Sequence, residues 1–298
     1  MSSLSVPHSS CLMPIIHELS ELRQVISSRK KAGQTVGFVP TMGALHEGHL
    51  SLVRAARKQC DCVVVSIFVN PTQFGPNEDY SKYPRTLEAD CELLRNENVD
   101  FVFAPSAETV YPSGHETFIE VGSVAEPLEG RSRPGHFRGV ASVVLKLFNM
   151  VQPDAAFFGQ KDYQQVQVIR KMIDDLNVPV ELVVCPTVRE SDGLAMSSRN
   201  QYLSPQERED ALVLSRSLAK ATFRICGEKN CDITSLRKEM EQMILAVKNA
   251  KIDYISFADP DTLREIDSLD TKRPGKIVVL LAVRIGATRL IDNRVLEL

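Results

Sequence analysis

Short apolar runs that alternate with stretches of helical periodicity constrain this chain more than any other feature. Val36–Val39, Cys62–Val69, Asp100–Ala104, Ala155–Gly159 and Val180–Cys185 each have the length of a buried strand. Helical spacing occupies the intervals, near Ile16–Lys31, from about His46, over Thr86–Glu97, Arg138–Gln152 and Tyr163–Leu176. Cys62-Val-Val-Val-Ser-Ile-Phe-Val69 is continuously apolar, the pattern of a strand covered on both faces. Strands and helices in this alternation join by right-handed crossovers into a parallel, doubly wound α/β sheet. Ligands of such sheets sit beyond the carboxyl ends of the strands. Thr41–His49, Asn70–Gln73 and Gly159–Gln165 all fall at those ends, so residues distant in sequence converge on one crevice.

After Pro186 the pattern changes. Thr187–Arg199 is polar, and Ser204-Pro-Gln-Glu207 has the form of a capping box with proline at the first helical position. Helices near 205–225 and 232–249 and strands near 251–257 and 277–285 follow, ending in Arg289-Leu-Ile-Asp-Asn293. The chain therefore divides near Arg189, into a Rossmann-like domain over 1–188 and a smaller α+β domain over 189–298, expected to close over the crevice as a lid. Residues 106–136 read as irregular, and the Ser-rich residues 1–12 as a disordered lead-in without the basic start or apolar centre of a secretion signal. No apolar run approaches the roughly 18 residues of a membrane span, and a net charge of -3 gives no support to nucleic-acid or membrane-surface binding. Seven cysteines without a CxxC pair fit free thiols in a reducing cytoplasm.

The most telling local segment is Val36–Arg54: a strand, a turn marked by Pro40 and Gly43, then a helix start. Such a junction is an anion site, with backbone N–H groups and the positive helix end pointing above the strand. His46 and His49 share one face of the first turn, and Gly48 between them admits a ligand close to the backbone. Imidazoles placed there can donate to phosphate oxygens as charge moves onto them. They could equally be surface histidines; half a zinc site would want another Cys or His nearby, and none follows. Lys161 and Ser197-Ser198-Arg199 supply phosphate-matching cation and hydroxyl groups. Alone, they read as a solvated lysine and a turn. Asp162 could cap a helix or accept from a ribose hydroxyl. No Gly-x-Gly-x-x-Gly follows the first strand, which disfavours a dehydrogenase.

Together these segments form a familiar series. His46-Glu-Gly-His49 resembles the HIGH-type motif of the nucleotidylyltransferase superfamily, and Met196-Ser-Ser-Arg199 resembles its later KMSKS-type loop. From about Met13 to Asn293 the chain resembles the pantoate–β-alanine ligase (pantothenate synthetase) family, AMP-forming. The resemblance runs through Pro40–His49, Val69–Phe74, Tyr83–Arg85, Leu128–Gly130, Arg133–Gly139, Phe158–Gln165 and Gly193–Asn200, in order. It implies a two-step reaction through pantoyl adenylate, with ATP, pantoate and β-alanine as substrates, Mg²⁺ as helper ion, and a homodimer formed through the nucleotide domain. It implies ATP contacts from Met42, Gly43, Ala44, Leu45, His46, Glu47, Gly48 and His49, and from Gly159, Gln160, Lys161, Asp162, Val188, Met196, Ser197, Ser198 and Arg199. His46, His49 and Lys161 would be catalytic, with His49 as general acid for pyrophosphate departure. Gln73 and Gln165 would bind pantoate, with Asn70, Glu129 and Arg133 as neighbours, and the metal ligands stay unknown. Two rivals remain: a nucleotidyltransferase for a phosphate-bearing acceptor, and a non-catalytic nucleotide-sensing or metal-binding protein that keeps the crevice.

Overall fold

The computed structural model describes residues 13–76, 78–227, 231–268 and 275–298. The lead-in expected over 1–12, with Cys11, lies outside the described residues. Strands β1 (Ile15–Ile16), β2 (Val36–Thr41), β3 (Cys62–Ile67), β4 (Phe101–Phe103), β5 (Ala155–Gly159) and β6 (Glu181–Cys185) form one sheet in the order β1-β4-β3-β2-β5-β6. Every pairing is parallel, as the alternation requires. Two-residue β1, which pairs Ile15 and Ile16 with Val102 and Phe103, is too short to show a period in sequence.

Pleating sends neighbouring residues to opposite faces of the sheet. Phe38, Val64, Ala156 and Phe158 pack toward α1 (Leu19–Lys31), α6 (His136–Val151) and α7 (Tyr163–Asp175). Val39, Val63, Val65 and Phe157 pack toward α2 (Glu47–Gln59) and α3 (Leu87–Asn96). The stretch 106–136, read as irregular, contains α4 (Ala107–Val110), α5 (Glu129–Ser132) and a 3-10 turn, none long enough to display helical spacing.

Beyond β6 come α8 (Pro205–Asp210), α9 (Leu212–Gly227) and α10 (Ile233–Leu245), then β7 (Ala250–Ala258), β8 (Lys276–Ile285) and β9 (Thr288–Glu297). The helix expected over 205–225 is two helices meeting at Ala211, and Ser204 and Glu207 form the capping box. The three strands make a second, antiparallel sheet in the order β7-β8-β9. Both its faces are covered. Ile277, Val279, Leu281 and Val283 pack toward α9 and α10, whereas Val278 and Leu280 join the core of the first sheet. Among the described residues Cys60, Cys62, Cys91, Cys185, Cys226 and Cys231 form no disulfide, and no helix is long and apolar enough to cross a membrane.

Phe38 is fully buried and meets Phe148 edge-on at 6.4 Å. Phe38→Ala is expected to lower unfolding free energy by about 3–5 kcal/mol through lost burial and an unfilled cavity, measured as a lower urea midpoint at unchanged slope.

Candidate active site

The carboxyl ends of β2, β3 and β5 open into a cleft, roofed by the segment that follows β6. Its walls include Met42, His46, Gly48, His49, Asn70, Gln73, Arg133, Gly159, Lys161, Asp162, Gln165, Val188, Met196, Ser197, Ser198 and Arg199. Residues from six separate stretches thus meet over one sheet edge.

On the β2–α2 wall, the two histidines hold the helix start. His46 is the N-cap of α2, and its Nδ1 accepts the Gly48 N–H at 3.1 Å; the Nδ1 of His49 accepts the His46 N–H at 3.3 Å. Each ring closes one otherwise unpaired donor of the first turn. An accepting Nδ1 places the proton of a neutral imidazole on Nε2. The rings lie 4.1 Å apart. Burial, then the nearby Lys161 ammonium, lowers the His46 pKa to about 4; burial, then His46 itself, lowers that of His49 to about 3. Both rings are therefore neutral Nε2–H donors in the free protein. Gly48 is required here, since a Cβ would stand 2.8 Å from His46 Cε1.

Several residues of the β2–α2 turn face away from the cleft. Gly43, Ala44, Leu45 and Glu47, expected on the nucleotide wall, do not line it. The N–H groups of Ala44 and Leu45 donate at 3.0 and 2.8 Å to the buried Asp90 carboxylate of α3. Those donors anchor the turn instead of awaiting an anion. Glu47 pairs with Arg54 on the exposed side of α2. Gln160 is likewise off the wall and reaches toward Asn293.

Gln73 and Gln165 both line the cleft. Gln73 Nε2 donates to Met42 Sδ at 3.1 Å, and its Oε1 accepts from Asn70 Nδ2 at 3.0 Å. Asn70 also accepts from Tyr111 Oη at 2.9 Å and donates to the Gly139 carbonyl at 3.2 Å, so its amide supports Gln73. Gly139 permits this contact: a Cβ would stand 2.4 Å from the Thr72 carbonyl. The neighbouring Gln164 is structural, accepting from the Glu129 N–H and donating to the Val124 and Pro127 carbonyls.

Arg133 lies on the wall, but both oxygens of Glu78 take its guanidinium, at 2.6 and 2.7 Å. Its Nη1 meets His136 Nε2 at 3.0 Å, while His136 Nδ1 donates to the Gln73 carbonyl at 2.8 Å. His136 is thus neutral with the opposite tautomer, and burial followed by the Arg133 charge lowers its pKa to about 4. Sequence reasoning does not single out this link, although His136 lies in the Arg133–Gly139 segment. Glu129 stands one step back from the main cleft. It lines a small adjoining cavity with Arg133, Lys161 and Gln165; the residue is 7% exposed, and its carboxylate receives Arg289 at 2.6 and 2.8 Å and Tyr254 Oη at 2.9 Å. Two donors from the second sheet saturate it, and it closes the seam behind the cleft.

The segment expected as a polar loop is a short hairpin. Arg189 bridges Ala195, and the Met196 N–H donates to the Val188 carbonyl at 3.0 Å. Ser197 caps the turn that carries Arg199, whose Nη2 meets Asp79 at 3.0 Å. Tyr83, which bonds Ser198, completes this wall, and Asp79 supports it from behind through Arg199; sequence reasoning misses both as site residues, because only the fold carries them to the hairpin. Lys161 stands across from them with its ammonium 3.8 Å from Asp162.

The model of the family described as Pantoate-beta-alanine ligase matches residues 14–295. The chain belongs to the pantoate–β-alanine ligase family. The pantothenate synthetases of Acetivibrio thermocellus and Heliobacterium modesticaldum are 52% and 54% identical to it over 285 residues, 96% of this chain and 100% of each relative. The crystal structure of pantothenate synthetase from Thermus thermophilus superposes with a TM-score of 0.86 at 46% identity, covering 95% of this chain and 99% of that one. Pantoate-beta-alanine ligase from Francisella tularensis, solved in complex with beta-gamma ATP and beta-alanine, gives 0.77 at 38% identity, covering 95% and 97%. As a pantoate–β-alanine ligase, the chain is an enzyme that forms pantothenate.

In this family member the neutral histidines carry a pH signature. His46, His49 and His136 have folded pKa values below the 6.5 of an unfolded histidine, so the unfolded chain binds protons first as pH falls. Their stabilising contribution is complete above about pH 6.5 and declines toward pH 4. Nitrogen-detected NMR at pH 6 should find Nε2–H tautomers for His46 and His49 and Nδ1–H for His136. Imidazolium signals at that pH would contradict the assignment.

Proposed function

We propose that the cleft binds ATP and pantoate side by side and joins them before β-alanine enters. The pantoate carboxylate attacks the α-phosphorus, the bond to the β-phosphate oxygen breaks, and pyrophosphate leaves with that electron pair. The β-alanine amine then attacks the pantoyl carbonyl, AMP departs and the amine loses a proton, leaving pantothenate. One observation carries this reading: His46, His49, Lys161, Ser197–Arg199, Gln73 and Gln165 share a single cleft. The Francisella tularensis relative, solved in complex with beta-gamma ATP and beta-alanine, supports ATP and β-alanine as ligands here.

The Nε2–H groups of His46 and His49 donate to phosphate oxygens on which charge accumulates. With a pKa of about 3, His49 acts as a neutral hydrogen-bond donor to the leaving pyrophosphate and not as an imidazolium waiting in the free enzyme. Lys161, Ser197, Ser198 and Arg199 hold the β- and γ-phosphates, with Arg199 exchanging Asp79 for the nucleotide. Gly159, Asp162 and the Val188 backbone hold ribose and adenine. Gln73 and Gln165 read the pantoate hydroxyls and carboxylate through amide donors and acceptors. Asn70 and Arg133 act through their support of Gln73. Holding the carboxylate about 3–3.5 Å from phosphorus and in line is the main catalytic task.

Among the described residues no group of three His, Cys, Asp or Glu could hold a metal, so Mg²⁺ enters as the companion of the substrate triphosphate. Homodimerisation through the nucleotide domain belongs to the same reading. Sedimentation would show it as a species of twice the 33.2 kDa chain mass.

Purified protein with ATP should release pyrophosphate only when pantoate is added, and AMP with pantothenate only when β-alanine follows; nucleotide turnover independent of pantoate would refute the reading. His49→Ala should slow pyrophosphate release by roughly two to three orders of magnitude, the loss of one preorganised donor. Gln165→Ala should chiefly raise the pantoate concentration needed for saturation, and unchanged saturation would remove it from that wall.

A further inference from the structure

Arg289-Leu-Ile-Asp-Asn293 lies in the first half of β9, and its three polar side chains all make contacts beyond the second sheet, Arg289 pairing also with Asp253 of β7. Arg289 takes Glu129 of α5. Asp292, buried, receives both terminal nitrogens of Arg189 at 2.7 and 2.8 Å, and Arg189 Nη1 also donates to the Gly193 carbonyl at 3.1 Å. Asn293, also buried, donates from Nδ2 to the Gln160 carbonyl at 3.0 Å and the Lys161 carbonyl at 2.8 Å. Its Oδ1 accepts from Gln160 Nε2 at 3.4 Å. Two acceptors on one side and one donor on the other fix the orientation of the amide.

We propose that Asn293 is a positioning residue for Lys161: by bridging two successive carbonyls from across the domain seam, it sets where the Lys161 ammonium stands in the cleft. Asp292 meanwhile holds the root of the hairpin that ends in Ser197–Arg199. Adjacent residues of one strand thereby fix both cationic arms of the phosphate site relative to each other. The interval between those arms must match a triphosphate, and a misplacement of about 1 Å in such a site costs up to about a hundredfold in rate. No side chain of the first sheet contributes either of these two anchors, so the second domain is part of the site's geometry and not only its cover. This inference rests on the reading that Lys161 holds phosphate.

Steady-state kinetics of Asn293→Ala, Lys161→Ala and the double variant test it. Asn293→Ala should lower kcat/KM for ATP roughly ten- to a hundredfold and leave the KM for pantoate unchanged. In the Lys161→Ala background the same substitution should cost no more than about twofold, because residues acting through one another are non-additive. A loss of equal size in both backgrounds, or an equal rise in the pantoate KM, would show a general interface role and overturn the proposal. Should Asn293→Ala fail to fold, Asn293→Asp keeps the volume but has no donor, and wild-type ATP kinetics in that variant would equally overturn it. Wild-type ATP kinetics in Lys161→Ala alone would instead withdraw the phosphate role of Lys161, a failure of the underlying reading that the single variant reveals by itself.

Discussion

The cleft depends on two imidazoles that are each used on both edges. One ring nitrogen of His46 and one of His49 terminate the helix, and that obligation decides which edge faces the ligand. A backbone N–H is a fixed donor, so the nitrogen opposite it must accept, and the remaining proton is forced to the cleft side. Burial then keeps the rings neutral. Helix capping, tautomer and protonation state thus follow from one local arrangement, and Gly48 is the residue that leaves room for it.

Other contacts around the cleft work in the same way, with a buried polar group serving as the support for one that faces the ligand. Asp90 accepts from the turn that leads into His46, Asn70 donates to Gln73, and His136 links Arg133 to the Gln73 backbone. Buried donors and acceptors left unpaired would each cost about 1–3 kcal/mol, so these supports hold their geometry firmly. A fixed support is what lets neutral amides discriminate among small hydroxy acids, because a mobile amide would accommodate either orientation of a hydroxyl.

Local patterns make the parallel sheet, the His46–His49 pair and the phosphate hairpin's residues readable in sequence. Spacing within a turn, or a run of five or six apolar residues, carries its own meaning. Asp90 and Glu129 show where that stops. Each is one acidic residue on a short or ordinary helix, and only the fold brings the Ala44–Leu45 turn to the first and Arg289 to the second. Sequence alone therefore points Glu129 toward substrate, whereas its partner is a guanidinium from the far end of the chain. β8 illustrates a different limit. Ile277–Val283 is continuously apolar, a pattern associated with parallel strands; β8 is antiparallel to both neighbours, and it is apolar throughout because helices cover one of its faces and the core of the first sheet the other.

That double burial also bears on which parts of the structure around the cleft can move. Ala258, Val278 and Leu280 belong to the core that includes the first sheet, and Arg289 binds Glu129 across the same seam. Swinging the second sheet away from the first would expose those side chains at about 1.5–3 kcal/mol for each large one. It would also strand a buried carboxylate without its cation, which costs several kcal/mol more. Shorter segments over the cleft face no such penalty. The hairpin that carries Ser197–Arg199 meets Asp79 through a half-buried ion pair that an anionic ligand's oxygens can replace. Movement over the cleft is therefore easiest where ion pairs can be exchanged, while the apolar seam, fastened by β9, resists opening.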